Sequence, residues 1–210
     1  MNSFDIGIKY YYGVRHFLKG YIMKQFTDRL IIRDWDDEDL DWFAQLNADA
    51  KVMQYFPNTL TREQSDAYAQ KVRQEIEQRG WGFWAVEEQE SHQFIGFVGL
   101  HLQENKGIPY TPMVEIGWRL HHRYWGKGYA PEAARFALRF AFEQLSTHDV
   151  YAFTARCNKS SLRVMQKIGM HDTGDDFEHP SVEEGSPLRL HCLYRISIDE
   201  WNQQQSNQSS

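Results

Sequence analysis

The sequence is poor in cysteine, in long apolar runs and in excess basic charge. Cys157 and Cys192 are its only cysteines, too few for a disulfide framework or a four-cysteine zinc site. Reduced thiols and a cytoplasmic location are therefore expected. No window approaches eighteen consecutive apolar residues, which excludes a membrane helix. The net charge of −6 argues against sequence-independent nucleic-acid binding, because such binding needs a basic face.

Metal-binding patterns are missing as well. The nine histidines show neither H-x-x-x-H nor Cys–His spacing, so no metal is expected. What the chain does have is a 41% hydrophobic and 15% aromatic content over 210 residues, enough for the core of one domain. Its acidic balance is compatible with a cationic substrate such as an amine.

The two ends differ from the rest of the chain. Residues 1–22 lack an apolar signal region and a cleavage site, and "MKQFTDRLIIRDW" from Met23 resembles a natural chain start. We expect an N-terminal extension at 1–22, with a short docked arm as the alternative, and a domain over residues 23–202. The polar, low-complexity residues 203–210 are expected to be disordered. The oligomeric state is left open, with a homodimer among the alternatives.

Local patterns predict the order β-α-α-β-β-β-α-β-α-β. Thr61 and Gln64 form a capping box for a helix that Gly80 ends. "GFWAVEEQ" and "FIGFVGLHL" read as a hairpin. In the fourth strand, "MVEIGWRLH", alternation places Glu115 on the face opposite Ile116. This order predicts an α+β fold with a mixed central sheet and helices on both sides.

The stretch "RYWGKGYAPEAARFALRFAF", Arg123 to Phe142, leaves that strand and enters a helix. Gly126 and Gly128 let the backbone turn tightly and approach an anion, and Pro131 suits a first helical turn. The helix dipole adds positive potential at that end. Ala134, Leu138, Ala141 and Leu145 are predicted to form its buried stripe. The stretch therefore predicts a phosphate-binding turn.

Two familiar phosphate loops do not fit this stretch. A P-loop needs Ser or Thr after its lysine, whereas Tyr129 follows the second glycine; a dinucleotide fingerprint needs glycine where Pro131 stands. The remaining pattern is R-x-x-G-x-G. An ordinary glycine-containing turn is the alternative.

These residues carry a family resemblance. "EIGWRLHHRYWGKGYAPEAARFALRFAF" resembles the acetyl-CoA-binding motif of the Gcn5-related N-acetyltransferases (GNAT), and Tyr124–Trp125 with "GKGYA" resembles their RimJ/RimL subgroup of ribosomal-protein acetyltransferases. "TDRLIIRDWDDEDLDWFAQL", "FWAVEEQESHQFIGFVGL" and "NKSSLRVMQKIGM" match further family segments in order. The resemblance covers about residues 27–198. It implies the GNAT fold, a mostly antiparallel sheet whose fourth and fifth strands splay apart.

The resemblance also implies the donor and its contacts. Acetyl-CoA would act as co-substrate, with its pantetheine arm between the splayed strands and its pyrophosphate on backbone amides from Arg123 through Ala130. Arg123 or Lys127 would add charge. The cofactor-binding residues implied are Leu120, Arg123, Gly126, Lys127, Gly128, Tyr129, Ala130 and Asn158.

For catalysis, the resemblance implies two residues. Glu115 would be the general base, acting through water, with an ion-paired structural glutamate as the alternative. Ser161 would hydrogen-bond or protonate the leaving thiolate, with an exposed first-turn serine as the alternative. Asn158 matches the family's asparagine, although it would also serve as a helix N-cap. Many members have a tyrosine where this chain has Met165, which cannot donate a proton.

Three acceptors are compatible with the sequence: a protein N-terminus, a polyamine, and an antibiotic-like or metabolite amine. The subgroup resemblance favours a protein or peptide α-amine. By family analogy, the helix pair at 36–79 and the loop "NKGIPYTP" would wall the acceptor site, with Asp36 to Asp41 attracting a cation or only complementing a helix dipole. The rival classes are a non-catalytic acyl-CoA-binding sensor and a plain interaction protein.

Overall fold

The computed structural model describes residues 23–208. The predicted extension at 1–22 lies outside the described residues, as do residues 209–210. The elements, in chain order, are β1 (Lys24–Phe26), β2 (Leu30–Arg33), α1 (Asp39–Ala48), α2 (Arg62–Arg79), β3 (Phe83–Glu88), β4 (Gln93–Gln103), β5 (Met113–Leu120), a 3-10 turn (His122–Tyr124), α3 (Tyr129–Glu143), β6 (Asp149–Ala155), α4 (Lys159–Lys167), β7 (His171–Asp172), β8 (Phe177–Glu178), β9 (Leu190–Ser197) and α5 (Ile198–Gln208).

The strands form one sheet in the order β1-β2-β3-β4-β5-β6-β9-β7, with β8 also paired to β9. Every pairing is antiparallel except that of β5 with β6. These two strands are parallel and share a single register pair, Glu115 with Tyr151. They correspond to the fourth and fifth predicted strands, so the expected mixed sheet with a splay is confirmed.

Helices cover both faces of the sheet. The amphipathic α3 packs on one face through small residues, among them Ala133, Ala137 and Ala141, each fully buried. Small side chains let a helix approach a sheet closely, which keeps the start of α3 next to β5. The predicted stripe of α3 is buried as expected, although Leu145 lies just beyond the helix end at Glu143. Helices α1 and α2 cover the other face around Phe43.

The predicted capping box of α2 is present in full. Thr61 Oγ1 accepts from the Gln64 amide, the Gln64 side chain accepts from the Thr61 amide, and Gly80 ends the helix in the left-handed conformation. Both ends of α2 are therefore fixed by local chemistry. Among residues 23–208, no helix has the length and apolar character that crossing a membrane requires.

The C-terminal segment differs from the expectation of a disordered tail from residue 203. The closing strand ends at Ser197, and helix α5 continues through Gln208. At the helix start, the Glu200 carboxylate accepts from the Ser197 amide and hydroxyl. Trp201 is buried against Phe142, and the side-chain amide of Gln204 donates to the Gly169 carbonyl. These contacts hold a polar sequence in a helix over residues 203–208, where local composition alone predicts no regular structure.

Candidate active site

The splay between β5 and β6 opens into a cleft of about 620 Å³. At one end the cleft is lined by the turn and the first residues of α3, and along one side by α4. The cleft is also lined by the segment joining α1 to α2 and by residues of α2 itself. Strands β4 and β5 line the cleft through side chains that include His101, Glu115 and Arg119.

The glycine turn before α3 presents unused backbone donors to the cleft. Gly126 and Gly128 have φ values of 77° and 85°, a conformation that L side chains rarely adopt. Within residues 23–208, the amides of residues 126–128 make no backbone hydrogen bond, and the first-turn amides of a helix have no intrahelical acceptor. A cluster of free N–H groups at a helix N-terminus is suited to bind phosphate.

A brace that the sequence analysis missed holds this turn in place. The Arg29 guanidinium donates to the Lys127 carbonyl at 2.8 Å and to the Glu132 carboxylate at 2.8 Å. Glu132 also accepts from the Arg29 amide and the Thr27 hydroxyl. The β1–β2 turn is thus tied to the start of α3. The pair is separated by 103 residues, so no local pattern could have revealed it.

The structure separates the predicted cofactor-binding residues into two groups. Those that line the cleft are Leu120, Gly126, Gly128, Tyr129, Ala130 and Asn158. The side chains of Arg123 and Lys127 are exposed and do not line it. The Lys127 ammonium instead lies 5.1 Å from the centre of the Tyr124 ring. The expected charge contribution of both cations stays a prediction.

Tyr129 is fixed by a partner on β3. Its hydroxyl donates to Glu88 Oε1 at 2.5 Å, and Ser91 donates to the other carboxylate oxygen at 2.7 Å. The bond to Glu88 raises the pKa of Tyr129 to about 12, so the phenol stays protonated. The ring therefore contributes shape to the cleft wall rather than acid–base chemistry.

Asn158 caps α4, as one sequence interpretation predicted, and also lines the cleft; its contact with acetyl-CoA stays a prediction. Its Oδ1 accepts from the Ser161 amide at 3.2 Å. Its Nδ2 donates to Thr154 Oγ1 at 3.0 Å and to Ser161 Oγ at 3.1 Å. Ser161 therefore has a hydroxyl held at the cleft, and Met165 is buried in the cleft wall.

Glu115 lies in the cleft at the one register pair between β5 and β6. Its Oε2 accepts from Gln103 Nε2 at 3.1 Å. Burial raises the pKa of this carboxyl to about 7, because desolvation disfavours the charged form. The ion-paired alternative finds no partner: among residues 23–208, no cation lies within salt-bridge distance. Such a carboxyl exchanges protons near neutral pH.

His101 and Glu75 lie in the same part of the cleft as Glu115. His101 is the cross-strand neighbour of Glu115, and its Nδ1 lies 3.5 Å from Glu75 Oε2 on α2. Burial lowers the pKa of His101, against the pull of Glu75. Both residues line the cleft, together with Lys71. The part of the cleft around Glu115 thus combines the carboxylates of Glu75 and Glu115 with the His101 imidazole, which burial keeps neutral.

The expected acceptor walls are present in part. The α1–α2 region lines the cleft through Phe56 and Tyr68. The acidic residues at the start of α1 do not: Asp37, Asp39 and Asp41 are paired with arginines elsewhere. The "NKGIPYTP" loop does not line the cleft either, because its Ile108 packs with Met113 and Leu193. Three residues of the segment 179–182 line the cleft: His179, Ser181 and Val182.

The two histidines after β5 form a cluster with Asp49. Asp49 Oδ2 lies 2.6 Å from His122 Nδ1 and 3.8 Å from His121 Nε2, and the Asp49 carboxylate also accepts from the Lys51 amide at 2.8 Å. The cluster ties the end of α1 to the end of β5. Its three side chains each offer a ligand atom within 4.8 Å of the others, so the expectation of no metal, drawn from spacing along the chain, did not consider this set.

Comparison with known proteins gives the same family across most of the domain. Residues 29–171 match the Acetyltransferase (GNAT) domain. The chain is 32% identical over 149 residues to "Uncharacterized protein YkkB" of Bacillus subtilis, covering 70% of this chain and 85% of that one. It is 29% identical over 177 residues to "Uncharacterized N-acetyltransferase YnaD" of the same organism, covering 84% and 98%.

Solved structures agree on the fold. An acetyltransferase of the GNAT family from Bacillus anthracis has a TM-score of 0.70 at 26% identity, covering 84% of this chain and 99% of that chain. A ribosomal-protein-S5-alanine acetyltransferase from Vibrio fischeri has a TM-score of 0.67 at 17% identity, covering 85% and 98%. A spermidine N-acetyltransferase from Vibrio cholerae, solved with CoA and spermine, has a TM-score of 0.66 at 17% identity, covering 84% and 99%. At 17% identity, these last two support the fold alone.

Proposed function

The chain belongs to the GNAT acetyltransferase family and is an N-acetyltransferase, and from this premise we propose that it transfers an acetyl group directly from acetyl-CoA to a primary amine, in particular the α-amine of a protein or peptide. The observation that carries the proposal is Glu115, a carboxyl with a pKa of about 7 in the cleft that also receives the glycine turn. The sequence resemblance to the RimJ/RimL subgroup supports the choice of an α-amine.

The residues present fit acetyl-CoA. The amides of the turn from Gly126 to Ala130 would hold the pyrophosphate, and the N-terminal end of α3 would stabilise its charge. A Cβ added at Gly126 would meet no protein atom within 4 Å, so the surface beside the turn is open to a ligand. Leu120 and Asn158 would flank the pantetheine arm between β5 and β6.

An acceptor in the ammonium form must lose one proton to become nucleophilic, and its nitrogen loses a second proton as the amide forms; one of the two is released and the other ends on the leaving sulfur. The amine nitrogen bonds to the acetyl carbon while the carbon–sulfur bond breaks, and the sulfur keeps the electron pair. Glu115, ionised above pH 7, would take the ammonium or amine proton through water. Ser161 would donate a hydrogen bond to the thiolate, because Met165 cannot.

Thiol release with acetyl-CoA across an amine panel tests this function. The panel contains short peptides with a free α-amine, the same peptides with a blocked N-terminus, polyamines and small monoamines. We expect release only with free amines, with the highest kcat/KM on peptides. Tight acetyl-CoA binding without turnover on any amine would favour the acyl-CoA-binding sensor, and no acetyl-CoA binding would favour a plain interaction protein.

A small-amine acceptor is the second candidate. Glu75 and Glu115 line one end of the cleft, and two carboxylates there would attract a cationic amine. Higher kcat/KM on a polyamine or monoamine than on any peptide would select this candidate and remove the peptide α-amine.

A further inference from the structure

Arg119 is a half-buried cation that no carboxylate among the described residues neutralises. It lies on β5 four residues after Glu115, on the same face of the strand because side chains alternate. It lines the cleft, and burial holds the pKa of its guanidinium below the usual value. Within residues 23–208 no carboxylate lies within salt-bridge distance of it, whereas Arg33, Arg62 and Arg73 each have at least one such partner.

The surroundings of Arg119 fix its orientation without using its full donor set. Its Nη1 donates to Asn47 Oδ1 at 2.6 Å, and Asn47, itself fully buried, donates to Ser65 Oγ. The guanidinium carbon lies 4.2 Å from the centre of the Phe56 ring and 5.4 Å from that of Phe97. Tyr68 is a third ring at 5.7 Å, and contact with ring faces leaves the in-plane edges of the guanidinium for hydrogen bonds.

One of those edges lacks a hydrogen-bond partner within residues 23–208. Arg119 Nε is buried and has no hydrogen-bond partner among the described residues. A buried donor without a partner is destabilising, and a buried charge without a counter-ion more so. An acceptor group on a ligand would supply the missing partner. The Nε–Nη2 edge of a guanidinium matches the two oxygens of a carboxylate.

We infer that Arg119 binds a carboxylate of the acceptor, so that the acceptor is an amine that also carries a carboxylate. This inference rests on the proposed function. Arg119 and Glu115 are ~13 Å apart along the strand at 3.3 Å per residue, so the amine and the carboxylate of the acceptor are separated by several bonds. A peptide with an acidic residue near its N-terminus and an extended amino acid both have this chemistry. A polyamine does not, because a second ammonium would meet the Arg119 cation.

Matched acceptor pairs test the inference by kcat/KM. One arm compares ω-amino carboxylates of increasing length with their carboxamides; the other compares peptides carrying Asp or Asn at the second or third position. For at least one pair we expect the carboxylate member to be favoured about 10- to 100-fold, mostly through KM, as for a charge-assisted hydrogen bond. The arm with the larger preference identifies the acceptor as small molecule or peptide.

Arg119→Met should lower kcat/KM for the carboxylate member to that of its carboxamide and leave the carboxamide unchanged. Arg119→Lys keeps the charge without the planar fork and should retain only part of the preference; it also serves if the Met variant fails to fold. Arg139→Met, on the exposed side of α3, is the control for loss of one positive charge and should behave as the wild type.

Two outcomes would overturn the inference: equal kcat/KM within every pair in the wild type, or an equal loss on both members in Arg119→Met, which would give Arg119 a structural role only. Calorimetric binding of the same pairs to the CoA-bound protein separates this failure from that of the proposed function. Tighter binding of the carboxylate that depends on Arg119, without turnover, would support the inference and contradict the transferase activity of this site.

Discussion

At the scale of single residues, the position of Glu115 decides what it can do. A carboxyl in water is ionised at neutral pH and is a weak base, whereas burial raises the pKa of Glu115 from 4.5 to about 7. A base is most effective when its pKa lies near the working pH. The Gln103 amide holds one carboxylate oxygen, which orients the carboxyl and opposes part of the shift.

Glu115→Gln removes the proton acceptor and keeps the shape of the side chain. We expect kcat to fall about 100-fold at pH 7.5, the lower end for general-base catalysis, with little change in acetyl-CoA affinity. In the wild type kcat/KM should rise with pH up to about 7, because only the ionised carboxylate accepts a proton, and the variant should lose this limb. Glu104→Gln, at an exposed glutamate just after β4, is the control. Equal turnover in Glu115→Gln would remove Glu115 as the base.

Asn158 shows how one side chain joins local and functional roles. Each of its polar atoms already has a partner in Thr154 or Ser161. Its first effect is therefore to fix the start of α4 and the Ser161 hydroxyl beside the cleft. A ligand contact of Asn158 would have to be shared with these bonds or replace one of them.

At the scale of elements, three features shape the turn between β5 and α3: its backbone conformation, the positive end of the α3 dipole, and the contacts of Arg29 with Glu132 and the Lys127 carbonyl. Its two glycines take left-handed φ values, α3 directs its N-terminal end at the cleft, and Arg29 with Glu132 ties the turn to the loop between β1 and β2. Since the Arg29–Glu132 pair is half exposed on the arginine side, solvent screens its contribution to stability. We expect it to act mainly by positioning the turn.

Gly126→Glu tests the turn as the pyrophosphate site. The new side chain would meet open space in the free protein but would bring bulk and negative charge to the bound phosphates, so acetyl-CoA binding should be abolished in calorimetry. Gly185→Glu is matched to it, because Gly185 has a φ of 82° and equally open surroundings, away from the turn. Both variants bear the same backbone strain, on the order of 1 kcal/mol. Unchanged affinity in Gly126→Glu would refute the assignment of the turn.

The elements also show what the sequence can and cannot predict. The capping box of α2, the β3–β4 hairpin and the alternation of β5 follow from near neighbours in the chain, and the structure has all three. Strand β1 and helix α5 were missed because tertiary contacts fix them: β1 is a three-residue edge strand, and α5 has a polar sequence whose Trp201 docks on Phe142. Local propensity is a weak guide where packing decides.

Some features of the site could likewise be predicted from the sequence, and others could not. Glu115 and the glycine turn could be read from a strand pattern and a motif. The aromatic setting of Arg119 and its bond to Asn47, 72 residues away in the chain, could not. Nor could the contribution of residues 179–182 to the cleft wall, since that depends on how distant segments pack.

At the scale of the whole molecule, the C-terminal strands close the sheet and carry a cluster of aromatic rings beside the cleft. His179 packs against the rings of Phe153, Phe177 and His191. Its Nδ1 accepts from the Ser181 amide at 3.2 Å. Burial, with His191 nearby, lowers the pKa of His179 from 6.5 to about 4. The folded protein therefore holds this imidazole in its neutral form.

This pKa shift makes the stability of the molecule depend on pH. Below pH 6.5 the unfolded chain takes up a proton on His179 that the folded protein refuses until about pH 4, so the free energy of unfolding falls as the pH falls through this window. A shift of this size corresponds to ~3 kcal/mol, and partial solvent access at the cleft reduces it to roughly 1–2 kcal/mol. His179→Gln cannot take up that proton.

Urea unfolding of the wild type and His179→Gln at pH 7.5 and pH 4.5 measures the effect. We expect the loss of unfolding free energy between the two pH values to be smaller in the variant by about 1–2 kcal/mol, because carboxylates titrate alike in both proteins and cancel. His148→Gln, at an exposed histidine before β6, is the matched control. Identical pH dependence in the wild type and His179→Gln would mean that His179 is solvated, and the wall at residues 179–182 would then be open at neutral pH.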